Sequence, residues 1–248
     1  MRSIPPMRIC ALVPTYDNPA TVRAVVSGIR AHDLPVIVVD DGSGEAGRAA
    51  CAGLARDRLA TVVRHDKNRG KGAACRTGFE KAHQLGFTHA FQIDADGQHD
   101  LTQIPRFVAA AQRDPDALVL SYPEYDDSAP RERLAARRVT HFWVALEVGG
   151  RDRIRDGLIG FRIYPLEAVR ALRGFGTGME FDVDIAVRLV RRGVPPVNLP
   201  VRVRYLTAAE GGVSHFRPVR DMLRLSWMHC RLCTVGCIRW TFRRLAGR

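Results

Sequence analysis

Lysine is nearly missing from this 248-residue chain: Lys67, Lys71 and Lys81 stand against 35 arginines. The formal charge is still +12, so the basic surface is almost wholly guanidinium. The planar fork of arginine suits phosphate and carboxylate, which leaves nucleic acid, an anionic membrane and phosphorylated small molecules as partner classes. Long hydrophobic runs are missing too. No stretch of 18 apolar residues occurs, so no membrane-spanning helix is expected. Met1 to Arg8 has no apolar segment of the kind a signal peptide needs. The six cysteines (Cys10, Cys51, Cys75, Cys230, Cys233, Cys237) are spread unevenly, which argues against a disulfide framework and for a reduced, cytoplasmic setting. Cys230, Cys233 and Cys237 fall on one helical stripe. With only His229 as a further ligand, that stripe reads as buried or membrane-facing rather than as a metal cluster. There is no internal repeat and no low-complexity segment.

What is present is a regular alternation. Apolar runs at Ile9–Val13, Val36–Val39, Ala60–Arg64, His89–Ile93 and Ala117–Leu120 predict strands. Between them, a helix opening at Asn18–Pro19 and helices over Glu45–Arg56, Lys71–Leu85 and Thr102–Gln112 are expected. Apolar strands alternating with helices mean an α/β fold with a mostly parallel sheet covered on both faces. Ligands then bind at the carboxyl ends of the strands. Beyond, Tyr122–Pro130 reads as a polar loop, Arg131–Val148 as an amphipathic helix and Asp156–Tyr164 as a strand. A helix from Gly178 to about Arg192, an extended Pro195–Tyr205 and a long basic helix over Arg217–Arg248 complete the chain.

The segment Gln92-Ile93-Asp94-Ala95-Asp96-Gly97-Gln98 lies at one such strand end. In extended backbone, residues two apart point to the same side, so Asp94 and Asp96 repel unless a cation sits between them. A hard divalent ion, Mg²⁺ or Mn²⁺, takes carboxylate oxygens and keeps room for phosphate. Asp-rich turns also close strands with no ligand at all; the neighbouring motifs decide. Asp40-Asp41-Gly42-Ser43 and Asn68-Arg69-Gly70-Lys71-Gly72-Ala73-Ala74 fall at the ends of two further strands. The second of these is no Walker A loop, because Gly70-Lys71 is not followed by Ser or Thr.

These segments, with Val13-Pro14-Thr15-Tyr16-Asp17, resemble in order and spacing the family 2 glycosyltransferases of the GT-A fold. The polyprenyl- and dolichyl-phosphate sugar synthases are the most similar subgroup, and the resemblance runs over about residues 8 to 205. It implies a nucleotide-diphosphate sugar donor, UDP- or GDP-linked, and a Mg²⁺ or Mn²⁺ cofactor. It implies that Pro14, Tyr16, Asp41, Asn68, Gly70, Lys71 and Asp94 bind the donor, with Asp41 on the base and Lys71 against phosphate charge. Asp94, Asp96 and Gln98 correspond to metal positions. In Met179-Glu180-Phe181-Asp182-Val183-Asp184, the subgroup places a catalytic or positioning acid. Residues two apart on a helix diverge, so both cannot point equally at one atom; Asp184 is the first choice and Asp182 the second.

The resemblance further implies an arginine-rich acceptor helix, with Arg131, Arg133 and Arg137 meeting a lipid phosphate, and a strand from Asp156 through Gly160-Phe161-Arg162. One departure is plain. Where the subgroup carries a basic residue before G-x-S-K, this chain has Ala208, and His215 stands in the lysine position. Diphosphate contact then passes to His215 or Arg217, or the acceptor differs. The expected organisation is a GT-A domain over residues 1–216 and a basic amphipathic helix over 217–248. That helix holds eight arginines with Trp227 and Trp240, which suits an anionic membrane surface. The expected enzyme is an inverting transferase acting on a lipid phosphate or lipid-linked acceptor, peripheral on the cytoplasmic face of a membrane. A nucleotidyltransferase and a nucleic-acid-binding protein are the rival classes. The first lacks a Gly-rich signature with Arg and Lys after the first strand; the second lacks aromatic nucleic-acid motifs and has no use for Asp94 and Asp96.

Overall fold

Strands without polar alternation must be covered on both faces. Seven of them form one sheet: β1 (Ile9–Thr15), β2 (Val36–Asp40), β3 (Thr61–Arg64), β4 (His89–Ile93), β5 (Leu118–Glu124), β6 (Phe161–Pro165) and β7 (Pro196–Arg202), in the order β3-β2-β1-β4-β6-β5-β7. The structure is a computed structural model that describes residues 6–124, 131–172, 174–203 and 221–234, the side chains of 131–136 excepted. The helices are α1 (Val22–Arg30), α2 (Glu45–Arg56), α3 (Lys71–Gln84), α4 (Ile104–Arg113), α5 (Arg131–Val148), α6 (Leu166–Arg170), α7 (Phe181–Arg191) and α8 (221–234).

Successive residues of β1 feed two cores. Cys10 and Leu12 pack under α3, α5, α6, α7 and α8, while Ala11 and Val13 pack under α1, α2 and α4. Strands β1 to β4 pair in parallel, so their carboxyl ends share one edge of the sheet. Strand β6 enters between β4 and β5 and is antiparallel to both. It brings Arg162 opposite Gln92 in register, next to the end of β4.

Several boundaries differ from the sequence expectation for local reasons. Helix α1 starts at Val22, where the Asn18 carbonyl accepts the Val22 amide at 3.1 Å, so residues 18–21 form a turn ahead of it. The strand expected from Asp156 starts only at Phe161. Asp156 Oδ1 accepts the Leu158 and Ile159 amides at 2.7 and 3.1 Å and folds 156–160 away from extended form. The loop expected from Tyr122 begins later, because β5 runs on to Glu124 by pairing with β7 as far as Arg202. Of the long terminal helix, 221–234 is helical, and Met228 and Leu232 belong to the core.

Candidate active site

The β1–β4 edge is assembled from its loops. Pro14 is buried in β1 and Tyr16 is half-buried just beyond it. Asp17 caps α2: its Oδ1 accepts the Gly44 amide at 2.8 Å. Asp40 lies under this edge, with Oδ1 taking the Ser43 amide at 2.9 Å and Oδ2 paired with Arg64. Asp41 is also buried, and three groups meet its carboxylate. The Arg69 and Gly70 amides reach it at 3.0 and 2.7 Å, and His65 Nδ1 lies 2.6 Å from Oδ1. The other His65 nitrogen is 2.9 Å from Thr77 Oγ1. In this structure Asp41 therefore fastens the loop that carries exposed Asn68 and presents Lys71. The glycines of that loop meet protein rather than open space. Gly70 has φ +97°, and a Cβ there would lie 2.4 Å from the Thr177 carbonyl oxygen; one on Gly72 would lie 2.2 Å from that of Gly176.

Lys71 opens α3 and its ammonium bridges two acids, at 2.8 Å to Asp94 Oδ2 and 2.7 Å to Asp182 Oδ2. Asp94 leaves the end of β4; Asp182 sits in the first turn of α7. Gln92 ties the cluster from beneath, its Nε2 donating to Asp182 Oδ1 at 2.9 Å. Tyr164 donates its hydroxyl proton to Gln92 Oε1 at 3.0 Å, from the diagonal position on β6. Arg162, wholly buried, donates to the Asp182 carbonyl. Buried charges are tolerated when paired in this way. Burial works against the Lys71 ammonium, but Asp182 and Asp94 outweigh it and raise its pKa. Burial likewise opposes ionisation of Asp182, yet Lys71 and Arg162 hold its carboxyl below the usual carboxylate range. Asp94 goes the other way: burial, with Asp182 and Asp96 nearby, raises its carboxyl despite Lys71.

Asp96 is half-buried, and its Oδ1 accepts the backbone amide of Gln98 at 3.0 Å. Thr21 fixes the turn by donating to the Ala95 carbonyl at 2.6 Å. Among the described residues no third acid, histidine or cysteine joins Asp94 and Asp96 as a metal-binding group. The donor set is thus two hard carboxylates with the remaining positions open. That fits an ion of the Mg²⁺ or Mn²⁺ type that completes its shell with phosphate and water, and does not fit a closed structural site. A cavity of about 150 Å³ adjoins Asp94, lined also by Val25, Ile93, Gly97, His99 and Leu101.

Other nominated residues lie elsewhere. Asp184, wholly buried, accepts from Gly176 N at 2.7 Å, Arg188 Nε at 2.6 Å and Arg231 at 3.3 Å. Arg137 on α5 is paired with buried Asp156 in the turn before β6. The side chains of Arg131 and Arg133, and all of His215 and Arg217, lie outside the described residues. Sequence reasoning missed Gln92, Tyr164 and Arg162 as members of the cluster. Gln92 carried a usable signal: it precedes Asp94 by two in one strand and so faces the same way.

The profile of glycosyl transferase family 2 matches residues 10–171. Polyprenol monophosphomannose synthase of Mycolicibacterium smegmatis is 28% identical over 221 residues, spanning 85% of this chain and 81% of that protein. Undecaprenyl-phosphate mannosyltransferase of Micrococcus luteus is 25% identical over 214 residues, spanning 79% of this chain and 83% of that one. Among solved structures, glucosyl-3-phosphoglycerate synthase from Mycobacterium tuberculosis, in complex with Mn²⁺, UDP and phosphoglyceric acid, has a similar fold. The TM-score is 0.69 at 18% identity, covering 94% of this chain and 79% of the other. The sheet order, the match over most of the chain and these likenesses agree: the fold is GT-A, and the chain belongs to glycosyl transferase family 2.

Proposed function

We propose that this glycosyltransferase moves a sugar, with inversion, from a UDP- or GDP-sugar to a lipid phosphate or lipid-linked acceptor at the cytoplasmic face of a membrane. The observation that carries the reading is the Asp94–Lys71–Asp182 cluster at the carboxyl ends of parallel strands, beside Asp96. Pro14, Tyr16 and Asn68 would flank the nucleotide, and Asp41, whose oxygens meet His65 and the Arg69 and Gly70 amides, would serve it by holding their loop. Asp94 and Asp96, with Gln98 beside them, would hold a Mg²⁺ or Mn²⁺ ion, which offsets charge on the diphosphate as the nucleotide departs. Lys71 adds a cation for the same phosphates, and the positive end of α3 faces the same way. Asp182 is kept ionised by Lys71 and Arg162 and orients the sugar or the acceptor. A phosphate acceptor is already ionised near neutral pH and needs no proton removed; an alcohol acceptor would make Asp182 the general base. Asp184 holds α7 and α8 together. Arg131 and Arg133 stay the candidates for acceptor phosphate, with His215 and Arg217; Arg137 is occupied by Asp156.

Support for a membrane face comes from α5 and α8. They lie side by side, with Trp143 stacked on His229 at 6.2 Å and His229 Nδ1 2.9 Å from Glu147. Both turn large apolar side chains outward: Val139, Phe142 and Leu146 on α5, and Met222, Leu223 and Trp227 on α8. Among the described residues no helix is long and apolar enough to cross a membrane. The two relatives named above take polyprenyl-type phosphates by their names. A thermal-shift screen of UDP-, GDP- and dTDP-sugars with Mn²⁺ tests the donor class; stabilisation by UDP or GDP compounds is expected. Stabilisation by none of them would remove the nucleotide-sugar reading.

A further inference from the structure

We infer that Lys71 is a built-in stand-in for the metal ion: in the donor-free protein its ammonium occupies Asp94, so a divalent cation binds well only together with a nucleotide diphosphate. The inference rests on the donor reading above and adds an order of assembly to it.

The argument is one of charge and geometry. Lys71 Nζ lies 2.8 Å from Asp94 and 2.7 Å from Asp182 and is only 13% exposed. The second Asp94 oxygen has the Gln92 amide at 3.4 Å, and Gly160 packs so closely that a Cβ there would meet both oxygens at 2.3 Å. Asp94 is therefore crowded by protein on these sides and keeps part of its surface, 21%, toward the cavity. Lys71 is ion-paired with both Asp94 and Asp182, and wholly buried Arg162 adds a second positive charge next to Asp182, donating to its backbone carbonyl. A bare divalent ion arriving at Asp94 would have to displace an ammonium that is fully paired. It would also leave that ammonium close to the new charge, in surroundings where charges are poorly screened. A diphosphate changes both terms. It offers Lys71 another partner at the start of α3 and gives the ion further oxygens, of which Asp94 and Asp96 supply too few. Binding of ion and nucleotide is then positively coupled, and linkage makes the coupling equal in both directions.

The test measures Mn²⁺ binding to the full chain by the loss of the free-ion electron paramagnetic resonance signal, without nucleotide and with saturating UDP or GDP. Wild type and Lys71→Met are compared, with circular dichroism to check folding. Nucleotide should tighten Mn²⁺ binding to wild type by about tenfold or more, and Lys71→Met should gain about tenfold in nucleotide-free Mn²⁺ affinity while its coupling shrinks. A nucleotide-free Mn²⁺ dissociation constant unchanged in Lys71→Met overturns the inference. If that variant does not fold, wild type alone decides: Mn²⁺ bound equally tightly with and without nucleotide overturns it. If neither UDP nor GDP binds either protein, the donor reading fails, and the nucleotide-free comparison still judges Lys71.

Discussion

Asp182 and Asp184 stand two residues apart in the first turn of α7 and face opposite directions. Asp182 meets Lys71 and Gln92 at the β4 end, while Asp184 meets Gly176, Arg188 and Arg231. A helix turns by about 100° per residue, so two steps separate the side chains by about 200°. Only one of the pair reaches the cluster, and it is the one ranked second from sequence.

Replacing the two should therefore have different consequences. Asp182→Asn is expected to lower turnover per folded molecule by about 100-fold, and to cost some stability as well, because Lys71 then keeps only Asp94 as a charged partner. Asp184→Asn should unfold more easily, by about 3 kcal/mol, because Arg188 loses its buried partner. Its turnover per folded molecule should stay within a few-fold of wild type. Paired steady-state kinetics and urea titrations check this; an inactive but fully stable Asp184→Asn would reverse the assignment.

Gly160→Ala probes the same site through sterics. The added methyl would lie 2.3 Å from both oxygens of Asp94, so that carboxylate has to move. A displacement of about 1 Å at a positioning group lowers rates by about 100-fold. Activity should fall by that order while the thermal midpoint changes by only a few degrees. Wild-type activity in Gly160→Ala would show that Asp94 is not held where the structure puts it.

Strand ends and their motifs were legible because buried parallel strands are plain apolar runs, and Gly, Asp and Asn mark where they stop. Thus the order and spacing put Asp41, Lys71 and Asp94 at strand ends, and their expected roles came from the family resemblance. Strand β6 was legible as a strand, but not its direction, since a strand buried on both faces reads the same in either sense. Arg162 was hidden by its type: an arginine in a strand suggests solvent, and only the register opposite Gln92 reveals a buried cation. The choice between Asp182 and Asp184 was hidden for another reason. It depends on the rotational setting of α7, which a shift of one residue at its start would invert.

Acid should loosen the packing of α5. Burial alone would push the Asp156 carboxyl up, but His141, Arg137 and the Leu158 amide outweigh it and hold it below the usual range. Its folded value thus lies below the unfolded value of about 3.9. The contribution is present above pH ~3.9 and is lost as pH falls through the folded value, where the folded state must take up a proton. Thermal midpoints should drop on acidification below pH ~4, and less steeply in Arg137→Ala, which at neutral pH is already about 3 kcal/mol less stable. Parallel acid curves for the two proteins would exclude Asp156 as a source of the acid sensitivity.

The outward apolar faces of α5 and α8 should bind vesicles. Burying one large apolar side chain contributes about 1.5–3 kcal/mol, so Phe142→Ser combined with Trp227→Ser should weaken binding by at least about tenfold. Flotation with anionic and neutral vesicles at low and high salt separates this from the arginine contribution, each basic residue near the surface adding about 1 kcal/mol. Binding that ignores the double substitution would mean these faces are covered by something other than lipid.

The most direct measurement is transfer itself. Labelled UDP- and GDP-sugars are incubated with a polyprenyl phosphate in mixed anionic vesicles and Mn²⁺, and the organic phase is counted. Wild type should produce labelled lipid from at least one donor, and excess EDTA or Asp96→Ala should abolish it while circular dichroism stays unchanged. Undiminished labelled lipid in EDTA and in Asp96→Ala, or labelled lipid from neither donor despite nucleotide binding, would contradict metal-assisted transfer to a lipid phosphate.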